Sequence, residues 1–466
     1  MTNANVIFGK ECRENLYGGV NEVVDAISVT YGPNAKNAVL FTDDGVRVTK
    51  DGYNTACLIE DGNPYRQIGV QLIQDLCKRT AHDVGDGSST VAILARAIIE
   101  EYKDDPNPIA VARELQKYGE VVEQWIKTHC CKTVTTKEEL QNIATVSANN
   151  DPIIGKLIAD AFEKVGKNGI VTFQETDDLE DSIEYTDGFR IENGYFSPYF
   201  INTAHNTCEL ENVYVYISDT KIEEVKRVAE IAAQALHAKK SLLLMAPDFD
   251  SEVLVFLKEN LDKIKSCCVL NPNRRNYREI MLSDLRFYLG ADSCCDKITV
   301  TNNTTIFTGR GAYDENAQNT LIENIKAILD NPKLSEIDRP FHQKRLANFT
   351  SGIAVISIGG NSEVEIKEKY DRIEDAVRAS QAALTEGYVV GGGKTLQEAA
   401  LWADVSDRFK KILLTPVTLL DTLEVEDLES KGVLDPYLVT VTALKNAIST
   451  ASTLLTADVA IVHRSF

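Results

Sequence analysis

The sequence predicts a multidomain protein of the α + α/β class, and three observations carry that expectation. Helical patterns occupy both ends of the chain. Strand-like and helical segments alternate in the middle. The 466 residues exceed what one ordinary core holds. The ends therefore read as one discontinuous helical domain with α/β modules placed inside it. A content of 44% hydrophobic and 26% charged residues fits a soluble globular chain.

In chain order, residues 12–31 read as an amphipathic helix stopped by Gly32-Pro33. Residues 37–52, NAVLFTDDGVRVTKDG, read as two short strands around the turn Asp43-Asp44-Gly45. A helix is expected at 64–82, and an apolar one from Thr90. Pro108 suits a first helical turn, and Val111, Leu115, Tyr118, Val122 and Ile126 form one stripe behind it. Residues 169–176, 213–218 and 305–311 are strand-like, and SLLLMAP (241–247) reads as a buried strand between helical patterns. After GIAVISIGG (352–360) the chain reads as helical to its end. Within that stretch, Ser362 and Glu365 spell a capping box and Gly387 a helix stop.

Charge and cysteine usage exclude several classes. Seventy acidic against 49 basic residues give a net charge of −21, a surface that repels phosphate backbones, so nucleic acid is not an expected partner. The longest apolar runs fall short of a membrane span, and MTNANVIFGKECREN has no apolar core of signal-peptide length. The expected location is the cytoplasm, with no membrane partner. Ten cysteines include three adjacent pairs and no C-x-x-C, which reads as reduced thiols rather than disulfides or a zinc site.

The stretch AHDVGDGSSTVAILARAII (81–99) runs a glycine-rich polar knot straight into an apolar helix. Glycines at Gly85 and Gly87 permit positive φ and close approach of a ligand, and the N–H groups that open a helix attract phosphate. Ser88, Ser89 and Thr90 add hydroxyls. Asp86 would repel a polyphosphate unless a divalent cation lay between them, and Mg²⁺ takes one or two carboxylates plus phosphates. Two readings stay open here: a Mg-nucleotide site, or a helix cap with a turn. No G-x-x-x-x-G-K-[ST] occurs, which excludes a P-loop enzyme. VTKDG (48–52) reads as a strand exit, TYGP (30–33) as a helix end, and YVVGGGKT (388–395) either as a loop or as a ligand approach. Asp375 lies about 200° around its helix from Ile373 and by periodicity alone is a solvated charge.

Taken together and in order, these stretches resemble the group I chaperonins, the GroEL and mitochondrial heat-shock class. The matching segments are VTYGPNAKNAVL (29–40), VTKDG (48–52), VGDGSSTVAILARAII (84–99), ATVSANNDPIIGKLIADAFEKVGKNGIVT (144–172), DGFRIENGYFSPYFIN (187–202), EVEIKEKYDRIEDAVRASQAALTEGYVVGGG (363–393) and GVLDPYLVTVTAL (432–444). The resemblance implies a helical equatorial domain from 1–129 and 387–466, a small intermediate domain from 130–186 and 354–386, and an α/β apical domain over 187–353. It further implies identical subunits in a ring of about seven, non-native polypeptides as clients and a lid co-chaperonin.

Residue by residue, the resemblance implies Asp86 as the Mg²⁺ ligand and Gly87, Ser88, Ser89 and Thr90 as phosphate contacts. Thr30, Gly32 and Pro33 line the nucleotide. Lys50 and Asp51 lie beside the phosphates, where family members also hold K⁺. Gly391, Gly392 and Gly393 approach the ribose and base, and Asp435 contacts the ribose. Asp375 orients the attacking water and would face ATP only on closure of a hinged domain. Tyr195, Tyr199 and Phe200 match aromatics that hold unfolded chains, with apical core as the alternative. Ala229, Ala232 and the pair Lys258-Glu259 stand where bulkier apolar residues are usual.

The chain departs from the class in places. Only 41 residues separate Gly393 from Asp435, and the usual adenine contact has no counterpart there. These trims suggest a divergent, virus-encoded member in a host cytoplasm, with weaker ring stacking and a single ring. The leading expectation is an ATP-driven, Mg²⁺-dependent folding chaperone. The alternative is a chaperonin-fold ring that serves as a scaffold with little ATP turnover, which the shortened segment favours and the carboxylates Asp51, Asp86 and Asp375 oppose.

Overall fold

The structure, a computed structural model, describes residues 4–32, 35–42, 45–167, 169–176, 178–203, 206–272, 275–310, 314–331, 334–335, 338–422 and 427–463. The turn expected at Asp43-Asp44 and the candidate nucleotide contact Pro33 lie outside these residues. Two compact units divide the chain: Met1–Glu163, Phe173–Ser182 and Ser357–Phe466 form the first, and Lys164–Thr172 and Ile183–Ile356 the second.

The first unit is helical. Its opening helix, Gly9–Val29, buries Cys12, Leu16, Val20, Val23, Val24 and Ile27, a spacing of three or four residues that keeps them on one face. It crosses the helix Pro64–Val84 with almost no side chain between the backbones. A Cβ on Gly19 would lie 2.0 Å from the Arg66 carbonyl oxygen, and one on Gly69 would lie 2.1 Å from that of Leu16. This crossing fixes where Pro64–Val84 ends and hence where Gly85 stands. The helices Ser88–Tyr102 and Pro108–His129 pack on Tyr437–Thr456. That last helix is the one among the described residues long and apolar enough to cross a membrane, but Leu444, Ile448 and Leu455 bury it in this unit's core.

Among the described residues, three pairs of short strands lie in the first unit, two of them joining segments far apart in sequence. Ala4–Phe8 pairs antiparallel with Val459–His463, so both ends of the chain meet. Ala38–Thr42 pairs with Gly45–Thr49, and Tyr388–Val390 with Leu434–Pro436. The expectation of helix throughout after residue 360 is corrected by these late strands, which are too short to show alternation. In the long helix Glu363–Glu386, the Ser362 hydroxyl accepts the Glu365 N–H as expected. The Glu365 carboxylate, however, accepts the N–H of Asn361 at 3.0 Å, so the reciprocal half of the capping box falls one residue early. None of the ten cysteines is in a disulfide.

The second unit is built on a six-stranded sheet. Its order is Gly188–Ile191, Thr305–Arg310, Cys294–Val300, Cys208–Ile217, Ser241–Ala246 and Ser266–Leu270. The last three run parallel, connected by the helices Val225–His237 and Ser251–Glu259, while the others pair antiparallel. Leu242, Leu243 and Leu244 are fully buried, as befits a central strand covered on both faces. Beside the sheet, the buried Arg345 guanidinium grips Asp284 through two hydrogen bonds of 2.6 and 3.0 Å.

The close crossing of the first two long helices is testable. Gly69→Ala forces a methyl group onto a backbone oxygen and is expected to cost about 1–3 kcal/mol. The effect should appear as a lower urea midpoint for the first unit, and an unchanged midpoint would contradict the contact.

Candidate functional site

One cavity of about 290 Å³ in the first unit collects residues from widely separated stretches of chain. Thr30, Gly32, Lys50, Asp51, Asp86, Gly87, Ser88, Ser89, Thr90, Gly392, Gly393, Asp375 and Asp435 all line it. Every described residue that the sequence proposed for the nucleotide is therefore brought together here, apart from Gly391. That glycine instead lies against the Asp435 carboxyl, where its Cβ would meet Oδ1 at 2.7 Å.

The floor is the glycine turn. Pro64–Val84 ends with Gly85 at φ +80°, whose N–H closes on the Ala81 carbonyl at 2.9 Å. Gly87 is also left-handed, at φ +87°, and serves as the N-cap of Ser88–Tyr102 with no side-chain cap. The first intrahelical bond runs from Val91 N–H to Gly87 O, so the N–H groups of Ser88, Ser89 and Thr90 precede it. Of the cap-with-a-turn reading the turn is present, with the Gly87 N–H donated to Asp86 Oδ1, but no side chain caps the helix, because the capping position holds a glycine. What remains is a positive helix end facing a cavity, the arrangement that suits phosphate oxygens.

Asp51 ties this floor to a second element. It follows the strand Gly45–Thr49 by two residues and N-caps the helix Gly52–Cys57, its Oδ2 accepting the Asn54 N–H at 2.7 Å. Its Oδ1 accepts from the Ser88 hydroxyl at 3.3 Å. Gly52 lets the two elements close up, since a Cβ there would lie 2.2 Å from the Ser89 hydroxyl and displace it. Thr30 caps the end of Gly9–Val29, donating its hydroxyl to the Ile27 carbonyl at 2.9 Å. The Tyr31 and Thr90 hydroxyls lie 3.3 Å apart.

Asp375 is the largest correction to the periodicity reading. It is no solvated charge but lines the cavity together with Asp51 and Asp86. A helix face turned to a polar cavity carries the same polar residues as one turned to water, so periodicity cannot separate the two. The resemblance placed Asp375 at the nucleotide only after closure, yet it already lines the cavity in this structure. The helix comes down this far because Gly85 has no side chain: a Cβ there would meet the Arg378 Cβ at 2.2 Å.

The electrostatics of the cavity are lopsided. Asp51, Asp86, Glu368, Asp371, Asp375 and Asp435 line it against Lys50 and Arg372. Arg372 already pairs with Asp151 at 2.7 Å and Glu368 at 2.8 Å. Burial raises the Asp86 carboxyl, partly offset by the Gly87 N–H. Burial, then the charges of Asp51 and Asp86, holds Asp375 well above the usual carboxylate range. Burial, then Asp86, pushes Asp435 up to about 7. Carboxylates raised in this way ask for a cation. Among the described residues no group of three or more His, Cys, Asp or Glu is arranged to hold a metal ion by itself. Mg²⁺ does not need one, because it takes one or two carboxylates and completes its shell with phosphates and water. Asp86 beside the phosphate floor fits that requirement.

Sequence reasoning missed the far end of the cavity. Pro416, Leu420, Thr422, Leu428 and Val433 form an apolar wall there, supplied by the segment in which no adenine contact was found. The Thr422 hydroxyl donates to the Gly392 carbonyl at 2.7 Å and holds the wall to the glycine turn. Scattered aliphatics leave no motif, so no signal pointed to them. Asp371 was also missed, although its place four residues before Asp375 puts both on one helix face.

In the second unit the three aromatics separate. Phe200 is 2% exposed and belongs to the core, the alternative left open for these aromatics, so its place as a surface contact for clients is corrected. Tyr195 is half-buried and bridges to Val269. Tyr199 is 59% exposed, with the Lys258 ammonium 3.9 Å from its ring centroid. Ala232 is buried beneath its helix rather than facing outward.

A family model described as the TCP-1/cpn60 chaperonin family matches residues 23–267. Two crystal structures of the chaperonin gp146 from the bacteriophage EL 2 (Pseudomonas aeruginosa), both obtained in the presence of ATP-BeFx, are similar over 99% of each chain. Crystal form II gives a TM-score of 0.74 and crystal form I one of 0.67, each at 20% identity. At that identity the likeness establishes the fold.

The raised carboxyls give a pH signature. Asp435 binds a proton more tightly folded than unfolded, where an aspartate sits near about 3.9. Between those two values the folded state holds more protons, so stability of the ligand-free protein falls as pH rises, by at most about 1.4 kcal/mol per unit for one group. Asp435→Asn removes this share. Its melting temperature should drop less than that of the wild type between about pH 5 and about pH 7.5. Superimposable profiles would contradict the burial of this carboxyl.

Proposed function

The chain belongs to the TCP-1/cpn60 chaperonin family, and we propose that it is an ATP-driven folding chaperone that hydrolyses Mg-ATP in the cavity of its first unit. One observation carries the reading: a helix start without a side-chain cap and three carboxylates, Asp51, Asp86 and Asp375, converge on one cavity. The structurally similar gp146 crystals were obtained in the presence of ATP-BeFx, which supports a nucleotide in this place. An inactive scaffold has no physical need for clustered carboxylates whose charges repel one another.

In this reading the triphosphate lies on the N–H groups of Ser88, Ser89 and Thr90, and the base rests against the apolar wall of Leu420, Leu428 and Val433. Thr30 and Gly32 line the nucleotide, Asp435 takes the ribose, and Lys50 lies beside the phosphates, where K⁺ would add further charge neutralisation. Asp86 would hold Mg²⁺, which supplies charge neutralisation on the phosphates. Asp375 orients the attacking water and takes its proton as the water oxygen bonds to the γ-phosphorus and the bridging oxygen leaves with ADP. Its raised affinity for protons suits a base of this kind. Asp51 keeps the floor in register through Ser88 and Asn54.

The reading extends to architecture and partners. We assign an equatorial domain to 1–129 and 387–466, an intermediate domain to 130–186 and 354–386, and an apical domain to 187–353. Two two-stranded sheets offer open edges to an identical subunit. One is the hairpin with Val39 70% and Phe41 84% exposed, and the other the terminal pair with Phe8 63% and Ile461 61% exposed. Strand addition between copies would close a ring. Clients would meet Tyr199, Val255 and Leu236, an apolar surface reduced by Lys258, which suits a narrow client set. Free thiols agree with a cytoplasmic setting.

Phosphate release with ATP and magnesium tests the reading. Asp375→Ala is expected to lower kcat by about 100-fold or more while leaving the protein folded; a wild type without turnover would overturn it. Native mass measurement should show a ring that Phe41→Asp reduces to smaller species, and it also separates one ring from two. A wild type that stays monomeric would contradict the assembly.

A further inference from the structure

The helix Glu363–Glu386 faces an electrostatic difficulty. It carries Asp375 into a cavity already occupied by Asp51 and Asp86, and like charges at close range push the helix away. Something has to hold it down. It is held by Lys369, which reaches Asp181 at 3.1 Å and the Gly359 carbonyl at 2.7 Å, and by the cavity-lining Arg372, which reaches Asp151 at 2.7 Å. These bonds join it to neighbouring segments but not to the element that carries Asp51.

A hydrogen bond from that element does so. The Asn54 amide donates from Nδ2 to Oδ2 of Asp371 at 3.1 Å. Asn54 sits on the short helix Gly52–Cys57, where its own N–H is the group that Asp51 caps. Asp371 precedes Asp375 by four residues, so the two carboxylates share a helix face one turn apart. A continuous chain of contacts therefore runs from the Ser88 hydroxyl to Asp51, through the Asn54 backbone to its side chain, and on to Asp371 and the helix that presents Asp375.

We propose that Asn54 and Asp371 form a latch that positions Asp375 over the reacting phosphate, acting on the rate of the chemical step rather than on nucleotide affinity. The amide suits this task. A lysine or arginine in its place would put a further fixed positive charge beside Asp375 and compete for the carboxylate. A neutral donor holds Asp371 without altering the charge that the phosphates meet. The proposal rests on the hydrolysis reading above, since a latch on Asp375 matters only if Asp375 acts on water.

The test is a double-mutant cycle in magnesium-ATP turnover, with Asn54→Ala, Asp371→Ala and the double variant, each checked for a wild-type melting midpoint. Each single variant is expected to lose about 10–100-fold in kcat, the size of a misplaced catalytic group, with KM and affinity for a non-hydrolysable ATP analogue within about two-fold. The double variant should be no slower than either single, because both remove one bond. Asp371→Asn, whose amide oxygen still accepts from Asn54, should recover most of the rate lost in Asp371→Ala. Wild-type kcat in the folded single variants, or losses that multiply in the double variant, would overturn the latch. Failure of the hydrolysis reading looks different: the wild type itself releases no phosphate.

Discussion

Everything in the first unit is arranged around a helix that starts without a cap. Gly87 holds the N-cap position in a left-handed conformation and offers no side chain to the N–H groups that follow. Such groups need an acceptor, and the end they form carries partial positive charge. The surrounding elements leave room for one. The close crossing at Gly19 and Gly69 sets the height of Gly85, and Gly52 lets the Asp51 turn settle onto Ser88 and Ser89. Gly85 in turn lets the helix of Asp375 approach. Glycine serves in each case through the absence of Cβ, and together these absences make the cavity.

The second constraint is charge. Six carboxylates line a cavity with two basic side chains, one of them already paired. For a resting protein this is a cost, visible in carboxyls pushed toward neutrality by burial and by one another. For a protein that binds a cation together with a phosphate chain it is a store of affinity, released when the cation arrives. The same crowding explains why the Asp375 helix needs bonds along its length, from Lys369 through Asp371 to Arg372.

Much of this was legible in the sequence, and the part that was not has physical causes. The glycine knot with Asp86 and the three glycines at 391–393 could be picked out because backbone turns and phosphate chemistry restrict residue type, whereas Asp51 and Asp435 were placed only by the resemblance. The class of fold followed from helical ends and a mixed middle. Asp375 was misread by periodicity because a polar cavity and solvent select the same residues, and only the resemblance placed it near the nucleotide. Phe200 was matched to client-holding aromatics by the resemblance, with core as the alternative, and the core took it. The apolar wall of Leu420, Leu428 and Val433 left no trace at all, since aliphatic residues line cores and binding cavities alike. Asn54 and Asp371 lie 317 residues apart, and nothing in either local sequence announces the other.

The central claim is that the turn before Ser88 cradles a metal-bound triphosphate. Calorimetric titration of ATP into the purified protein, with magnesium and then with a chelator, measures it directly. The account expects binding that depends on magnesium and is lost in Asp86→Ala. Equal affinity with and without the metal, or an Asp86→Ala variant that binds as the wild type does, would contradict it.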